Sequence, residues 1–292
     1  ALADLAGTRD WLSARPHRAA LAALLDGLAA GARLRTGVRR VEGRDRVERV
    51  VLGAVDAAGA PLPGTREWAV AADALVVGHG AAPATEITRL LRAEHVFARA
   101  LGGWSPRLDE TGQTSVPGLW VAGDAGGVLG PEAATLTGTR AGAAIARTLG
   151  HAAPATTKAN RVLHRARALA RLSAQHPAMT AAIPPDTLVC PDEGLSRAEI
   201  EAAIDDGAHD LNQLKHFTRC AMGPRQGRDC GDVVAELLAL RLVALGRAPD
   251  IDTARRTAGQ WTGRVPLRPL PLAAMIGAFD YTDIPVPEPA PL

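Results

Sequence analysis

Residues 114–134, TSVPGLWVAGDAGGVLGPEAA, decide the fold of this chain. Residues 118–131 predict a short buried strand that runs into a glycine-rich turn. A long helix is then expected from about Pro131 to Leu149, because proline suits the first helical position and Gly150 suits the position just past the end. Strand, turn and helix follow one another here as they do in α/β proteins.

The turn has the features of a flavin site. Gly123 and Gly126 let the backbone approach a ligand closely, and Asp124 can accept hydrogen bonds from ribityl hydroxyls. The helix behind the turn points its N-terminal N–H groups and the positive end of its dipole at the flavin edge or the diphosphate. A Gly-Asp pair alone is not specific, since a simple strand–turn–helix corner with a capping aspartate contains it too.

A second stretch supports the flavin interpretation. Residues 73–87, DALVVGHGAAPATEI, predict a buried apolar run that ends in glycines. Together the two stretches resemble the downstream FAD signatures of the pyridine-nucleotide-disulfide-type flavoprotein oxidoreductases. The family's first signature is Asp-hydrophobic-Gly-x-Gly-x-x-Pro, which Asp73 and Pro83 complete here, and residues 101–106 and 133–149 fit the same template. The resemblance implies FAD contacts from these residues: Gly78, Gly80, Gly123, Asp124, Gly126, Gly127 and Ala133.

One part of the family pattern is missing from the sequence. The family needs an N-terminal Gly-x-Gly-x-x-Gly turn for the FAD diphosphate and usually a second one for NAD(P). Neither occurs in these 292 residues. We therefore expect the C-terminal portion of a longer flavoprotein that holds a partial FAD site, and we leave NAD(P) binding open.

The three cysteines, Cys190, Cys220 and Cys230, all lie in a region that predicts compact helices. Residues 188–231 resemble the ferredoxin-like 2Fe–2S domain of bacterioferritin-associated ferredoxin. That domain is fused, in this same order, to a disulfide-reductase-type flavoprotein in the α subunits of opine oxidase, hydrogen cyanide synthase and dye-linked proline or hydroxyproline dehydrogenases. The chain resembles this α-subunit family, and residues 264–272, RVPLRPLPL, resemble its C-terminal signature.

The cluster-ligand pattern departs from that family. The family has Cys-x-Cys followed by Cys-x4-Cys, and the corresponding positions here are Cys190, Asp192, Arg225 and Cys230. Arginine cannot ligate iron because its guanidinium offers no lone pair, and such clusters are held by four cysteine thiolates or close substitutes. We expect no 2Fe–2S cluster and, as a hypothesis, an ion pair between Arg225 and Asp192. The alternative is a metal site of Cys190 and Cys230 completed by Cys220 and Asp192.

The resemblance and the order of the elements predict the fold class and the domains. The fold class is α/β, the C-terminal part of a disulfide-reductase-type FAD/NAD(P)-binding fold followed by a small all-α ferredoxin-like domain. The predicted parts are a flavoprotein part over 1–150, a helical linker over 151–187, the ferredoxin-like domain over 188–245 and a proline-rich tail over 246–292.

Local patterns predict the elements within these parts. Helices are expected over 16–31, 131–149 and 161–174, and strands over 33–36, 47–52 and 66–71. The pairs Ser196 with Glu199 and Asp210 with Gln213 predict the caps of two further helices, and a third helix is expected from about Val233.

The composition excludes several classes of function. The chain has 33 Lys+Arg and 31 Asp+Glu, and so lacks the basic excess of a nucleic-acid-binding protein. A helix-turn-helix over 196–245, with phosphate contacts from Lys215, Arg219, Arg225 and Arg228, is therefore the weaker interpretation. No apolar run approaches the roughly 18 residues of a membrane span, and the start has no signal-peptide layout. We expect a cytoplasmic protein.

The resemblance implies the α subunit of a multi-subunit, FAD-dependent amino-acid or opine dehydrogenase or oxidase. In such complexes a β subunit, itself a flavoprotein of the amine-oxidase type, oxidises the C–N bond of a small-molecule substrate, and the α subunit relays electrons. We assign no catalytic residue; Asp124 and the helix near Pro131 are expected to hold and tune the flavin. Two alternatives stay open: a non-catalytic scaffold or fragment without FAD or cluster, and an NAD(P)H-dependent flavin reductase without its N-terminal half.

Overall fold

The computed structural model describes residues 33, 35–78, 80–153, 159–274 and 276. The helix predicted over 16–31, His79 and the proline-rich residues 277–292 lie outside the described residues. Most of the described strands lie before residue 107, and most of the described helices lie after residue 130.

The first sheet contains three antiparallel strands, each paired with the next along the chain. They are β1 (Thr36–Glu42), β2 (Arg49–Ala54) and β3 (Trp68–Ala71). The strands predicted over 47–52 and 66–71 are confirmed to within two residues. The prediction over 33–36 is wrong in position, because β1 begins where that prediction ends. Arginines interrupt the alternation of apolar and polar residues in β1, so the sequence pattern does not mark this strand clearly. Its position is set by pairing with β2, whose Val50 and Val51 are buried.

The layered parallel sheet that an α/β fold implies is not found among the described residues, where all three sheets are antiparallel. Residues 73–78, which belong to the predicted buried apolar run, pair with no strand among the described residues. Val76 is 94% exposed and Val77 is 61% exposed. A buried strand needs neighbouring strands to satisfy its N–H and C=O groups, and the described residues provide none at this place.

A second sheet lies beside the candidate flavin turn. It consists of β4 (His95–Ala98) and β5 (Gly103–Pro106), joined by a short 3-10 helix (Arg99–Leu101) and preceded by α1 (Glu86–Leu90). Another 3-10 helix (Gly123–Gly126) leads to α2 (Pro131–Thr148), and α3 (Ala159–Ser173) follows. The helices predicted over 131–149 and 161–174 are therefore confirmed to within two residues.

The C-terminal region is mainly helical. Its helices are α4 (Pro177–Ala181), α5 (Arg197–Asp205), α6 (Leu211–Thr218), α7 (Gly231–Ala244) and α8 (Ile251–Ala258). Ser196 and Glu199 form both bonds of the predicted capping box, and Asp210 caps α6 by accepting from the N–H of Gln213. The expected all-α domain is wrong in one respect, because β6 (Leu188–Cys190) and β7 (Leu195–Ser196) form a small antiparallel sheet. Helix α8 lies in the residues predicted as a tail.

Helix α7 is the centre of the main hydrophobic core. It is apolar on nearly all sides, which is typical of a helix surrounded by others, and it packs against α4, α5 and α8. Leu237 and Leu238 of α7 and Ile200 and Ile204 of α5 are essentially inaccessible to solvent. Each such side chain contributes roughly 1.5–3 kcal/mol through burial. Among the described residues, no helix is both long enough and apolar enough to cross a membrane.

Charged side chains join the helical region to the strands before it. Arg99, after β4, lies 3.0 Å from Glu236 of α7. Glu86 of α1 accepts hydrogen bonds from Arg228 at 3.0 Å and from Arg268 at 3.2 Å. These ion pairs join α1 and the segment after β4 to residues of the helical region that are far away in sequence.

Candidate functional site

The turn before α2 is held by hydrogen bonds from both sides. Gly123 has a φ of +69°, a left-handed conformation that favours glycine. Its N–H donates to Oγ1 of Thr137 in α2 at 3.0 Å, and the N–H of Val121 donates to the carbonyl of Gly112 at 2.8 Å. The predicted strand is reduced to a single bridge between Gln113 and Trp120. These bonds fix the backbone of the turn before any ligand binds.

Asp124 fastens this turn to the start of α2. Its Oδ1 accepts hydrogen bonds from the N–H groups of Leu129 at 3.2 Å and of Gly130 at 3.3 Å. Its Oδ2 has no hydrogen-bond partner among the described residues, and the side chain is exposed. One oxygen therefore performs the structural role of a corner aspartate, and the other can accept a bond from a ligand hydroxyl.

A cavity of about 610 Å³ opens beside this turn. Five of the seven predicted FAD contacts line it: Gly123, Asp124, Gly126, Gly127 and Ala133. Gly78 and Gly80 of the first signature do not line it. Sequence reasoning missed Arg140 of α2 and His164 and Arg167 of α3, which also line the cavity. Helix α3 was predicted as a linker, and only its packing against α2 turns it toward the cavity.

The glycines around the cavity serve different purposes. A Cβ atom on Gly126 would lie 2.8 Å from Cδ1 of Leu108, so glycine is needed there for packing within the chain. A Cβ on Gly123 would meet nothing closer than 3.6 Å, so the space beside this backbone is open. The cavity therefore offers open backbone, a carboxylate acceptor and basic side chains. This set fits the ribityl and diphosphate portion of a flavin nucleotide.

The N-terminus of α2 contributes less to anion binding than the sequence suggested. Pro131 lacks an N–H group, and Glu132 already places a negative charge in the first turn. Glu132 pairs with Arg165 of α3 at 3.6 Å. The helix dipole is thus partly compensated within the chain, which leaves Asp124 and the basic side chains as the main polar groups of the cavity.

The three cysteines converge from separate places. Cys190 ends β6, Cys220 follows α6 and Cys230 precedes α7. Their sulfur atoms all lie within 4.8 Å of one another, and all three are buried free thiols. The hydrogen bond from the Cys220 thiol lowers the pKa of Cys230 to about 7, against the opposing effect of burial. That same bond, together with burial, raises the pKa of Cys220.

Asp192 and Arg225 form the ion pair that the sequence suggested. Nε of Arg225 donates to Oδ1 of Asp192 at 2.7 Å, and the N–H of Arg225 donates to Oδ2 at 3.0 Å. The hydrogen bonds from Arg225 hold the pKa of Asp192 below its ordinary value. Two positions that carry thiolates in the family pattern are therefore joined to each other, and the residues do not fit a four-thiolate 2Fe–2S cluster.

The three arginines of the helix-turn-helix interpretation are engaged with carboxylates. Arg219 lies 3.6 Å from Glu193, and Arg228 lies 3.0 Å from Glu86. Arg225 is bound to Asp192 as described above. These arginines would have to give up their partners to contact phosphates, so the geometry does not support a nucleic-acid interface.

Comparison with known proteins shows which proteins this chain is similar to. Residues 185–278 match the family model described as the sarcosine oxidase A3 domain. The A subunit of opine oxidase from Rhizobium meliloti (strain 1021) is 35% identical over 201 residues, which cover 66% of this chain and 41% of that protein. The HcnB subunit of hydrogen cyanide synthase from Pseudomonas aeruginosa is 33% identical over 214 residues, covering 70% of this chain and 44% of that protein.

A solved structure extends the comparison to the fold. L-proline dehydrogenase from P.horikoshii aligns with a TM-score of 0.53 and 21% identity over 81% of this chain and 43% of that one. The expected ferredoxin-like domain stays a prediction, because the family model matching that region is the A3 domain. The chain thus spans less than half the length of these relatives, shares the fold of part of a proline dehydrogenase, and is similar to HcnB and to the A subunit of opine oxidase.

Proposed function

We propose that this chain is the FAD-binding part of an oxidoreductase subunit that works in a multi-subunit amino-acid or opine dehydrogenase or oxidase. The observation that carries the proposal is the position of Asp124, whose Oδ2 is available beside a cavity lined by five residues of the FAD signature. The similarity to proteins named as subunits of opine oxidase and hydrogen cyanide synthase supports the same class.

The residues of the chain divide the work of holding the flavin. Asp124 accepts hydrogen bonds from ribityl hydroxyls through Oδ2, while Oδ1 keeps the turn attached to α2. Thr137 fixes the Gly123 backbone, and Arg140 and Arg167 offset the charge of the diphosphate. FAD, when bound, supplies the capacity to accept and pass on electrons. NAD(P) plays no assigned part.

The partner completes the enzyme in this proposal. A β subunit, itself a flavoprotein of the amine-oxidase type, oxidises the C–N bond of an amino acid or opine, and this chain belongs to the α, electron-transfer subunit. The substrate then contacts the partner rather than the cavity described above. A cytoplasmic location belongs to the same proposal.

A flavin titration of three proteins tests the proposal. FAD is added to the parent chain, to Asp124→Asn and to the control Asp45→Asn, which changes an exposed aspartate between β1 and β2. Binding is followed by quenching of flavin fluorescence and by flavin absorbance in the visible range. Asparagine keeps an acceptor for the Leu129 and Gly130 N–H groups but replaces the second oxygen by a donor. We expect roughly tenfold or greater weakening for Asp124→Asn only, since hydrogen bonds to charged groups contribute roughly 1.5–3 kcal/mol.

The main competing function is that of a non-catalytic scaffold. It is favoured by one observation, that Gly78 and Gly80 of the first signature lie outside the cavity. A parent chain that stays colourless and does not quench added FAD would establish the scaffold and remove the proposed flavin role. Equal affinity in the parent and in Asp124→Asn would show that flavin binds elsewhere.

A further inference from the structure

The cysteine cluster is a feature that the flavin proposal does not use. The chain contains only three cysteines in 292 residues. They are contributed by a strand end, a loop and a helix start, yet their sulfur atoms lie within 4.8 Å of one another. Cys190 and Cys220 are 0% exposed and Cys230 is 6% exposed. All three thiols of the chain therefore meet at one buried point, as the ligands of a bound metal ion do.

The cluster has three donors. Asp192, the carboxylate that occupies one ligand position of the family pattern, has both oxygens engaged by Arg225. A Cβ on Gly223 would overlap Cβ of Asp192, so the backbone also confines that side chain. Asp192 is therefore not available as the fourth protein ligand that a closed, four-coordinate zinc or iron site would use.

We propose that Cys190, Cys220 and Cys230 bind one soft metal ion, Cu(I), in a three-coordinate thiolate site. Soft thiolate ligands favour Cu(I), Zn(II) and iron–sulfur clusters. Of these, Cu(I) is the one that is stable with three sulfur ligands and no fourth ligand. Metal–sulfur bonds of about 2.3 Å place ligating sulfurs roughly 4 Å apart. The Cys230 and Cys190 sulfurs are already 3.5 Å apart, so small side-chain movements bring the three sulfurs into bonding positions.

Binding replaces thiol protons with the metal. Each cysteine that ligates Cu(I) releases its proton to solvent, and the oxidation state of the metal does not change. The site neither requires nor affects the flavin cavity, which lies against α2 and α3 rather than β6 and α7. Metal binding at the cysteines can therefore be tested independently of the proposed flavin role.

A competition titration under reducing, oxygen-free conditions tests the site. The full chain is titrated with Cu(I) in the presence of a coloured Cu(I) chelator, and separately with Zn(II). The variants are Cys220→Ala and Met222→Leu. The second is the matched control, because it removes an exposed sulfur two residues from Cys220 and keeps an apolar side chain of similar size. Circular dichroism and thermal unfolding show whether each variant folds.

The expected result is one Cu(I) per chain for the parent and for Met222→Leu. Cys220→Ala should lose at least about tenfold in affinity, because one of three ligands is gone, and Cu(I) should raise the melting temperature of the parent but not of this variant. If Cys220→Ala does not fold, Cys190→Ala takes its place. Failure of the parent to compete with the chelator, preference for Zn(II), or Cu(I) binding that survives loss of a cysteine would each overturn the proposal.

Discussion

Arg225 binds Asp192 through both its guanidinium and its backbone N–H, at 2.7 and 3.0 Å. The guanidinium also donates to Asp229 at 2.8 Å. Arg225 thus joins the strand end that carries Cys190 to the loop that carries Cys230. The ion pair connects in this protein two segments that an iron–sulfur cluster connects in the family it resembles.

Restoring thiolates at both positions should restore a cluster. The double variant Asp192→Cys with Arg225→Cys recreates the Cys-x-Cys and Cys-x4-Cys pattern, and we expect it to take up about two irons per chain after reconstitution. Iron and acid-labile sulfide are measured on the purified protein. The two single variants are the controls, since each leaves one position without a thiolate. Iron uptake by the parent at the same level would contradict the assignment of this ion pair.

Glycine at position 223 is required by the same ion pair. In Gly223→Ala the added methyl would overlap Cβ of Asp192, so Asp192 or the loop must move, at a cost of roughly 1–3 kcal/mol. The matched control is Gly142→Ala in α2, where a Cβ meets nothing within 4 Å. That change should stabilise the chain by roughly 0.5–1 kcal/mol. Denaturant unfolding measures both, and similar effects from the two would contradict the steric argument.

Glu86 should make stability depend on acid pH. Burial raises the pKa of Glu86, but hydrogen bonds from its own backbone N–H, Arg268 and Arg228 outweigh burial and leave the pKa below its ordinary value of 4.5. A depressed carboxyl pKa gives stability that is complete above about pH 4.5 and is lost as pH falls through the folded-state pKa.

The variant Glu86→Gln tests this dependence. It should lower the free energy of unfolding at pH 7 by about 1 kcal/mol or less, because the partners are partly exposed. The difference from the parent should shrink as pH falls below about 4.5. The control is Glu94→Gln, whose ion pair with Arg107 is exposed on both sides. A Glu86→Gln effect that stayed constant down to acid pH would show that the carboxylate charge is not the cause.

The core around α7 should be the most sensitive to truncation. Leu238 is completely buried, and Leu238→Ala should cost roughly 2–5 kcal/mol through lost burial and the cavity left behind. Leu245, just after α7, is 38% exposed, so Leu245→Ala should cost much less. Thermal unfolding compares the two. Equal losses of stability in Leu238→Ala and Leu245→Ala would contradict a core centred on α7.

Local patterns located two helices and two strands to within two residues, but they missed α8 and misplaced other strands. Caps such as Ser196 with Glu199 act within one turn of chain, so the sequence determines them directly. The strand over 33–36 was misplaced, and residues 73–78 form no strand, because strand position depends on a partner that is distant in sequence. Within the described residues, 73–78 has none.

The candidate site also combines features that the sequence predicts with features that only the structure shows. The Gly-Asp turn and the start of α2 at Pro131 follow from the sequence, because backbone conformation and capping are local properties. His164 and Arg167 could not be assigned to the cavity, since only helix packing brings α3 to its wall. Arg140 lies in the predicted helix α2, but the sequence does not show that its side chain lines the cavity.

The sequence by itself determined the signatures, the lost ligand positions and the resemblance to flavoprotein α subunits, because residue types and spacings are properties of the chain alone. Only the tertiary structure decided that Asp124 keeps one oxygen available and that Asp192 is taken by Arg225. It alone showed that Cys220, outside the family pattern, lies with Cys190 and Cys230. Distances between residues that are far apart in the chain depend on how the helices pack, and no local pattern encodes that packing.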